Sequence, residues 1–245
     1  MKLNTTFKLF LLLVVISSII YIVQLLIFKS PNQTGYYFLQ DLAFMPLHVA
    51  IVSLILDGII SARERKERLR KMNMAINAFF GEAGTDLVLM LNTFLTESEN
   101  FKTELEISGK WNDKDFQKAV KMIKKHDFKM NSRVGDIVEL KTLLIAKRPF
   151  LLTMLENSNL LEHDTFTDML WAVFHITDEL VARESLIDLP GPDLDHLSLD
   201  IKRAYVTLLV EWVHYIEHLQ TTYPYLFSMA VRKNPFDDNR SIIFR

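Results

Sequence analysis

The stretch that decides the fold is residues 9–28, which read LFLLLVVISSIIYIVQLLIF. Lysine flanks it on both sides, and its polar members are Ser17, Ser18, Tyr21 and Gln24. Twenty residues at about 1.5 Å each span the roughly 30 Å hydrocarbon core of a bilayer. A cleaved signal peptide is the alternative, but its apolar region is shorter and small residues mark the cleavage site. The stretch therefore predicts a retained transmembrane helix over about residues 8–28.

A second apolar segment, residues 42–62, predicts another transmembrane helix. Its hydropathy is weaker because it contains Pro46, His48, Ser53 and Asp57, and a buried amphipathic helix of a soluble domain is the alternative. The segment after it, residues 63–71, is called the basic segment here and contains Arg63, Arg65, Lys66, Arg68, Arg70 and Lys71. Basic clusters beside membrane helices stay in the cytosol. With Lys2 and Lys8 at the other end, they predict a hairpin with both termini cytosolic and residues 29–41 as the outer loop.

Polar residues within a bilayer are candidate functional residues. In an antiparallel hairpin, Tyr21 and Gln24 lie at the depth of His48, which predicts a hydrogen bond that holds the two helices together. Asp57 is expected to pair with a cation of the basic segment or to reach the interface. The alternative is that Ser53 and Asp57, spaced i to i+4, face a polar path formed by several copies.

Charge divides the chain into two parts. Residues 1–71 contain nine Lys/Arg and four Asp/Glu, whereas the rest is acidic, with a net charge of −7. An acidic domain is a poor partner for nucleic acid, whose binding requires neutralisation of phosphates. The absence of cysteine excludes disulfides and thiolate metal sites.

The remainder predicts an all-α cytosolic domain, residues 96–245. Apolar residues recur every three or four positions from Leu69 to Phe94, which predicts that the second membrane helix extends through residues 63–95. Gly81 and Gly84 within it indicate either a hinge or a closely packed neighbour. Residues 97–112 are expected to form a connection and 189–192 a loop. The predicted helices are 113–125, 134–148, 150–156, 164–184, 197–222 and a short one from 224.

Three blocks carry a family resemblance: residues 37–46 (YFLQDLAFMP), 72–80 (MNMAINAFF) and 223–232 (YPYLFSMAVR). They resemble a family of uncharacterised bacterial membrane proteins that have two transmembrane helices and a helical cytosolic domain. The resemblance implies a location in the bacterial cytoplasmic membrane, and it brings no known activity.

Two polar sets on helices are low-ranked metal candidates: His175 and Glu179, and Glu211, His214 and His218. Glu-x-x-His is the spacing that di-iron helical bundles use. However, residues 211, 214 and 218 lie roughly 100–160° from the centre of the apolar stripe of their helix, and His175 lies almost opposite its own stripe. The helical wheel therefore predicts solvated polar faces, no metal and no cofactor.

Other catalytic patterns are weak. His126-Asp127 and His163-Asp164 lack the glycine that follows in helical phosphohydrolases, and Asp164 is expected to cap the next helix. Nucleotide-binding loops and nucleophile elbows are absent from the sequence. The sequence therefore predicts a non-enzymatic, self-associating membrane scaffold whose cytosolic domain contacts an unidentified protein. The alternatives are a subunit of an oligomeric channel or transporter and a membrane-tethered metal-dependent hydrolase.

Overall fold

The computed structural model describes residues 5–27, 33–96, 101, 104–161, 163–237 and 240. Within these residues the protein is all-α, as predicted, with one isolated β-bridge between Leu95 and Met130. The chain divides into two compact units, Met1–Arg68 and Leu69–Arg245. The helices are α1 (Thr5–Ile27), α2 (Gln33–Phe79), α3 (Thr85–Asn92), α4 (Asp113–Lys125), α5 (Ile137–Leu155), α6 (Ser158–Leu161), α7 (Asp164–Ala182), α8 (Gly191–Thr222) and α9 (Pro224–Arg232), with a π-helical turn at Phe80–Gly84.

In the N-terminal unit, α1 meets α2 where the Ser17 hydroxyl donates to the Ala43 carbonyl. Ser17, Ala43 and Ala50 are buried, whereas large apolar side chains along both helices are exposed. The outer loop is shorter than the predicted residues 29–41, because α2 already begins at Gln33. Residues 28–32 lie outside the described part of the chain.

One helix of the described chain meets both the length and the composition of a membrane span. Tyr36–Asn92, which includes the π-helical turn, is long and apolar enough to cross a bilayer, and Phe7–Ile20 is a shorter apolar helix. The two-helix membrane hairpin is thus supported for one helix only.

The C-terminal unit is built around α8, against which α3, α4, α7, α9 and the π-helical turn all pack. The predicted apolar stripe of α8 is buried, from Tyr205 through Trp212 to Leu219. The stripe of α7 is buried too, including Phe166 and Val173. The helical periodicity therefore predicted these core faces correctly.

The extension of α2 reaches Asn92 by way of the π-helical turn. A Cβ on Gly84 would lie 2.5 Å from a Phe80 ring carbon and 2.6 Å from a Phe79 ring carbon, whereas one on Gly81 would meet nothing within 4 Å. The absence of a side chain at Gly84 thus leaves room for the rings of Phe79 and Phe80. Thr85 supports the turn by donating its hydroxyl hydrogen to the Phe80 carbonyl, at 2.8 Å.

The predicted break at Pro149 is wrong, because α5 continues through it. Proline removes one backbone hydrogen bond, and Ile145, whose carbonyl loses its donor, is exposed to water. Leu144 and Leu151 are buried on either side of it. Packing of both halves of the helix therefore outweighs the local preference for a break.

Two helix starts also differ from prediction. The helix expected from residue 197 begins at Gly191, with Pro192 in the first turn, where its fixed φ suits a helix. The N-cap of α7 is His163, whose Nδ1 accepts from the Phe166 amide at 3.1 Å, and not Asp164. By contrast, α4 covers the predicted residues, with Asn112 and Asp115 forming a capping box.

Candidate metal centre

The end of α7 and the beginning of α8 bring together His175, Glu179, His196 and Asp200. Each helix contributes two of these residues at i, i+4 spacing, which places both side chains on one helix face. One ligand atom from each residue lies within 4.8 Å of the other three. Within the described residues, this is the one group of three or more such side chains that could hold a metal ion.

The separations between these atoms suit a single ion. Asp200 Oδ2 lies 3.4 Å from His175 Nε2 and 3.2 Å from His196 Nε2, and Glu179 Oε2 lies 3.8 Å from His196 Nε2. Metal–ligand bonds of about 2.0–2.2 Å in a tetrahedral site put neighbouring ligand atoms roughly 3.3–3.6 Å apart. These three separations are close to that spacing, and the four atoms, which all lie within 4.8 Å of one another, would have to move closer together to coordinate one ion.

Asp200 is the most constrained member. Its side chain is 2% exposed, which is unusual for a carboxylate. Arg203 Nη1 donates to Oδ1 at 3.1 Å, whereas the buried Oδ2 accepts no hydrogen bond from the described residues. A buried acceptor without a partner costs about 1–3 kcal/mol, and more when it is charged. A cation bound beside Oδ2 would remove that cost.

Arg183 holds the second carboxylate in place. Its guanidinium donates to Glu179 Oε2 at 2.8 Å and to both carboxylate oxygens of Asp193, at 2.6 and 2.9 Å. The hydrogen bond from Arg183 keeps the pKa of Glu179 below its ordinary value, although partial burial acts in the opposite direction. Glu179 is therefore an anion at neutral pH, as a carboxylate that binds a metal must be. Hydrogen bonds to ligating carboxylates are the usual outer support of metal sites.

Two kinds of cation could occupy this site: protons on the imidazoles, or a metal ion. His175 and His196 are about half exposed, so solvent reaches both rings. Two neutral imidazoles and two carboxylates form a donor set that suits Zn²⁺ and the neighbouring divalent transition metals better than the all-oxygen sites of Mg²⁺ or Ca²⁺. An imidazole binds a metal ion through a ring nitrogen that carries no proton, so metal binding would displace protons from these rings.

The other metal candidates lie elsewhere on α8. The predicted solvated face is wrong for Glu211, which is 1% exposed because several helices cover α8. Burial raises the pKa of Glu211, but the nearby side chains of His214, Thr165 and His163 outweigh burial, so its net pKa is lowered. His214 Nδ1 lies 3.9 Å from Glu211 Oε1. His218 Nδ1 lies 3.4 Å from Asn73 Nδ2, and burial lowers its pKa.

The two His-Asp dipeptides are used in other ways. Asp127 forms ion pairs with Lys129 and Lys202, and the hydrogen bonds from these lysines lower its pKa to about 2. His163 caps α7. Neither dipeptide belongs to the group of metal-binding side chains around Asp200.

The residues that were predicted within and beside the membrane lie in α1 and α2. His48 and Asp57 are exposed and Ser53 is half-buried, whereas the side chains of Tyr21 and Gln24 lie outside the described part. The cations of the basic segment are all exposed on α2.

Sequence reasoning missed His196 and Asp200 because it placed residue 196 before the start of the helix. The signal was present in the chain: His196-x-x-x-Asp200 repeats the spacing of His175-x-x-x-Glu179. A helix start at the Gly191-Pro192 pair, which is typical of a first turn, would have put both pairs on helices.

Comparison with known proteins gives a family and no activity. A family model described as "MJ1433, N-terminal helical domain" matches residues 1–60, and one described as "Uncharacterized protein MJ1433, C-terminal helical domain" matches residues 68–232. The relative "Uncharacterized protein MJ1433" of Methanocaldococcus jannaschii is 42% identical over 231 residues, covering 94% of this chain and 92% of the relative. That organism is an archaeon, so the expected bacterial origin is not confirmed. No solved structure matches the chain. On these matches, the chain belongs to the MJ1433 family of two-part helical proteins.

Proposed function

We propose that this protein is a membrane-anchored helical module that binds one divalent transition-metal ion between α7 and α8. The observation that carries the proposal is the convergence of two imidazoles and Glu179 on the buried Oδ2 of Asp200, which accepts no hydrogen bond from any residue that the structure describes. Zn²⁺ is the ion that best suits four N and O ligands at these separations.

The ligand count favours a structural or regulatory ion. Four protein ligands close a tetrahedral zinc site, whereas catalytic zinc sites keep one position open for water or substrate. The ligands come in pairs from two helices, so an ion ties the end of α7 to the beginning of α8. This arrangement lends no support to the metal-dependent hydrolase that was the third alternative from the sequence.

Anchoring in a membrane is supported by the apolar surface of the N-terminal unit. Eleven large apolar side chains are exposed on α1 alone, far more than the scattered apolar residues of an ordinary soluble surface. The 23 residues of α1 extend about 35 Å at 1.5 Å per residue, enough to cross the hydrocarbon core. The exposed basic segment would then lie at the cytosolic surface, with both termini in the cytosol.

Self-association in the membrane is a second candidate property. His48 and Asp57 are exposed within the apolar stretch of α2, and polar side chains that face lipid are unfavourable. Neighbouring copies could cover them, either as a scaffold that also contacts a cytosolic protein or as subunits of a channel.

Metal analysis of the purified protein tests the metal-binding proposal. The full chain, in mild detergent and without a polyhistidine tag, should carry close to one transition-metal ion per chain. After chelation, Zn²⁺ should rebind in calorimetric titration with 1:1 stoichiometry. His196→Ala should weaken binding by about 100-fold or more, because losing a ligand exceeds the 10–100-fold typical of outer-shell changes.

The matched control is His214→Ala, since His214 is also about half exposed and lies on α8. It should retain wild-type affinity. Absence of any transition metal together with no Zn²⁺ uptake would contradict the proposal, and so would equal weakening in the two histidine variants.

A further inference from the structure

A cleft of about 600 Å³ lies in the C-terminal unit between the π-helical turn, α3, α8 and α9. None of the four metal-candidate residues lines it. The volume lies within the range of sites that bury most of a small ligand. π-Helical turns occur frequently at functional sites, and here the turn supplies part of the wall.

The lining of the cleft is mostly apolar. Its wall includes Leu89, Trp212, Ile216, Leu226 and Met229. Phe80 stacks on Tyr215 with ring centroids 4.7 Å apart and planes 17° from parallel, so these two rings form one rigid side. Gly81 also lines the cleft and leaves open space where a side chain would begin.

Cations line the cleft at its α9 side. Lys233 and Arg240 are exposed lining residues, and the structure gives neither an ion pair with a described residue. Asp86, the one acidic residue among the described residues of the lining, lies 3.5 Å from Lys147 Nζ and is therefore already paired. An apolar interior with positive charge at its edge is complementary to an amphiphile that has an anionic head.

We infer that this cleft binds a single-chain amphiphile with one anionic head, of the fatty-acid type, with the chain against Trp212 and the head at Lys233 and Arg240. The occupant has one acyl chain and is not a two-chain phospholipid, because the cleft offers a single apolar compartment. The inference is independent of the metal site, since the residues of the two sites do not overlap.

Quenching by a brominated fatty acid tests the inference in the full-length protein. A Trp111→Phe, Trp171→Phe background leaves Trp212 as the single tryptophan, and bromine quenches indole only in close contact. In phosphatidylcholine nanodiscs at pH 8, 11-bromoundecanoate should quench Trp212 saturably. Its methyl ester, which has the same chain without the charge, should bind at least about tenfold more weakly.

Two variants address the two halves of the cleft. Gly81→Leu should abolish saturable quenching, because its side chain enters the open space; circular dichroism checks that the helices form. Lys233→Gln combined with Arg240→Gln should weaken binding by about fivefold to tenfold with no cost to folding. The control is Lys110→Gln, an exposed lysine away from the cleft lining.

Three results would overturn the inference. Equal affinity for acid and ester would remove the role of charge. Displacement of the probe by phosphatidylglycerol in the disc, as effective as displacement by free laurate, would make the occupant a membrane lipid. Unchanged quenching in both cleft variants would place the probe elsewhere. Chelation of metal should leave the quenching unaffected, so a failure of the metal proposal would not explain a negative result.

Discussion

Asp200→Asn should abolish the stabilisation of the C-terminal unit by metal without destabilising the metal-free protein. Asparagine keeps the shape of the side chain but removes the charge that an ion requires. In the metal-free state, it also replaces a buried carboxylate oxygen that has no hydrogen-bond donor. Its amide can donate to a neutral imidazole, because His175 and His196 both place Nε2 within 3.4 Å of that position. The metal-free variant should therefore lie within about 1 kcal/mol of wild type.

The size of the metal effect follows from ligand linkage. At a free Zn²⁺ concentration 100 times the Kd, binding to the folded state adds about 2.7 kcal/mol. For the unit Leu69–Arg245, a change of 1 kcal/mol corresponds to about 2–4 °C in Tm. Wild type should therefore gain roughly 5–11 °C, and Asp200→Asn should gain less than about 1 °C.

Thermal unfolding followed by circular dichroism, with Zn²⁺ or with chelator, measures both quantities. A second variant, Asp193→Asn, serves as a control, because Asp193 contacts Arg183 and is not a ligand candidate. It should keep most of the metal-induced gain. If Zn²⁺ raises the Tm of wild type and Asp200→Asn equally, the assignment of Asp200 as a ligand is refuted. A Tm of wild type that does not respond to Zn²⁺ would refute the whole site.

Three further outcomes are expected. Gly84→Ala should destabilise the protein by about 1–3 kcal/mol in chemical denaturation, because the new Cβ would lie 2.5 Å from an aromatic ring. Gly81→Ala, whose Cβ meets no neighbour, should stabilise the protein by up to about 1 kcal/mol. Equal effects of the two substitutions would exclude crowding against the ring as the cause. NMR titration should give Asp127 a pKa of about 2, and Lys202→Met should raise that pKa toward the ordinary 3.8. Because the pKa of Asp127 is lowered in the folded state, the ionised carboxylate stabilises the fold fully above pH 3.8. This stabilisation disappears as the pH falls through about 2. A single cysteine at Ser30 should react with an impermeant thiol reagent in intact cells and one in the basic segment should not, and the reverse pattern would refute the proposed topology.

Much of the fold could be predicted from the sequence because helical periodicity reports burial directly. The stripes of α7 and α8 are buried as predicted, and α4 has the predicted bounds. The strong cap at Asn112 is a local signal, formed by hydrogen bonds within three residues. Local rules therefore suffice where a single short stretch of chain decides the structure.

The failures share a cause, which is packing between elements distant in sequence. Pro149 remains within a helix because its flanking leucines are buried on both sides. Glu211 is buried because neighbouring helices cover α8 around most of its circumference. The buried face of α8 is therefore wider than its apolar stripe. A helical wheel treats each helix alone and could not show either result.

Two of the four candidate metal ligands could be identified from the sequence. His175 and Glu179 were recognised as an i, i+4 pair, but their wheel position opposite the apolar stripe predicted solvent there. His175 is about half exposed, and the structure also places the beginning of α8, with Asp200, next to that face of α7. Whether the two motifs face each other depends on how α7 and α8 pack. The residue spacing within one motif carries no information about that packing.

X-ray absorption spectroscopy of the zinc-loaded, detergent-purified protein tests the metal centre most directly. The spectrum should show four N or O ligands at about 2.0–2.2 Å, with the multiple scattering of two imidazoles, and the imidazole contribution should fall by half in His196→Ala. A spectrum of oxygen ligands alone, or one unchanged by His196→Ala, would contradict coordination between α7 and α8.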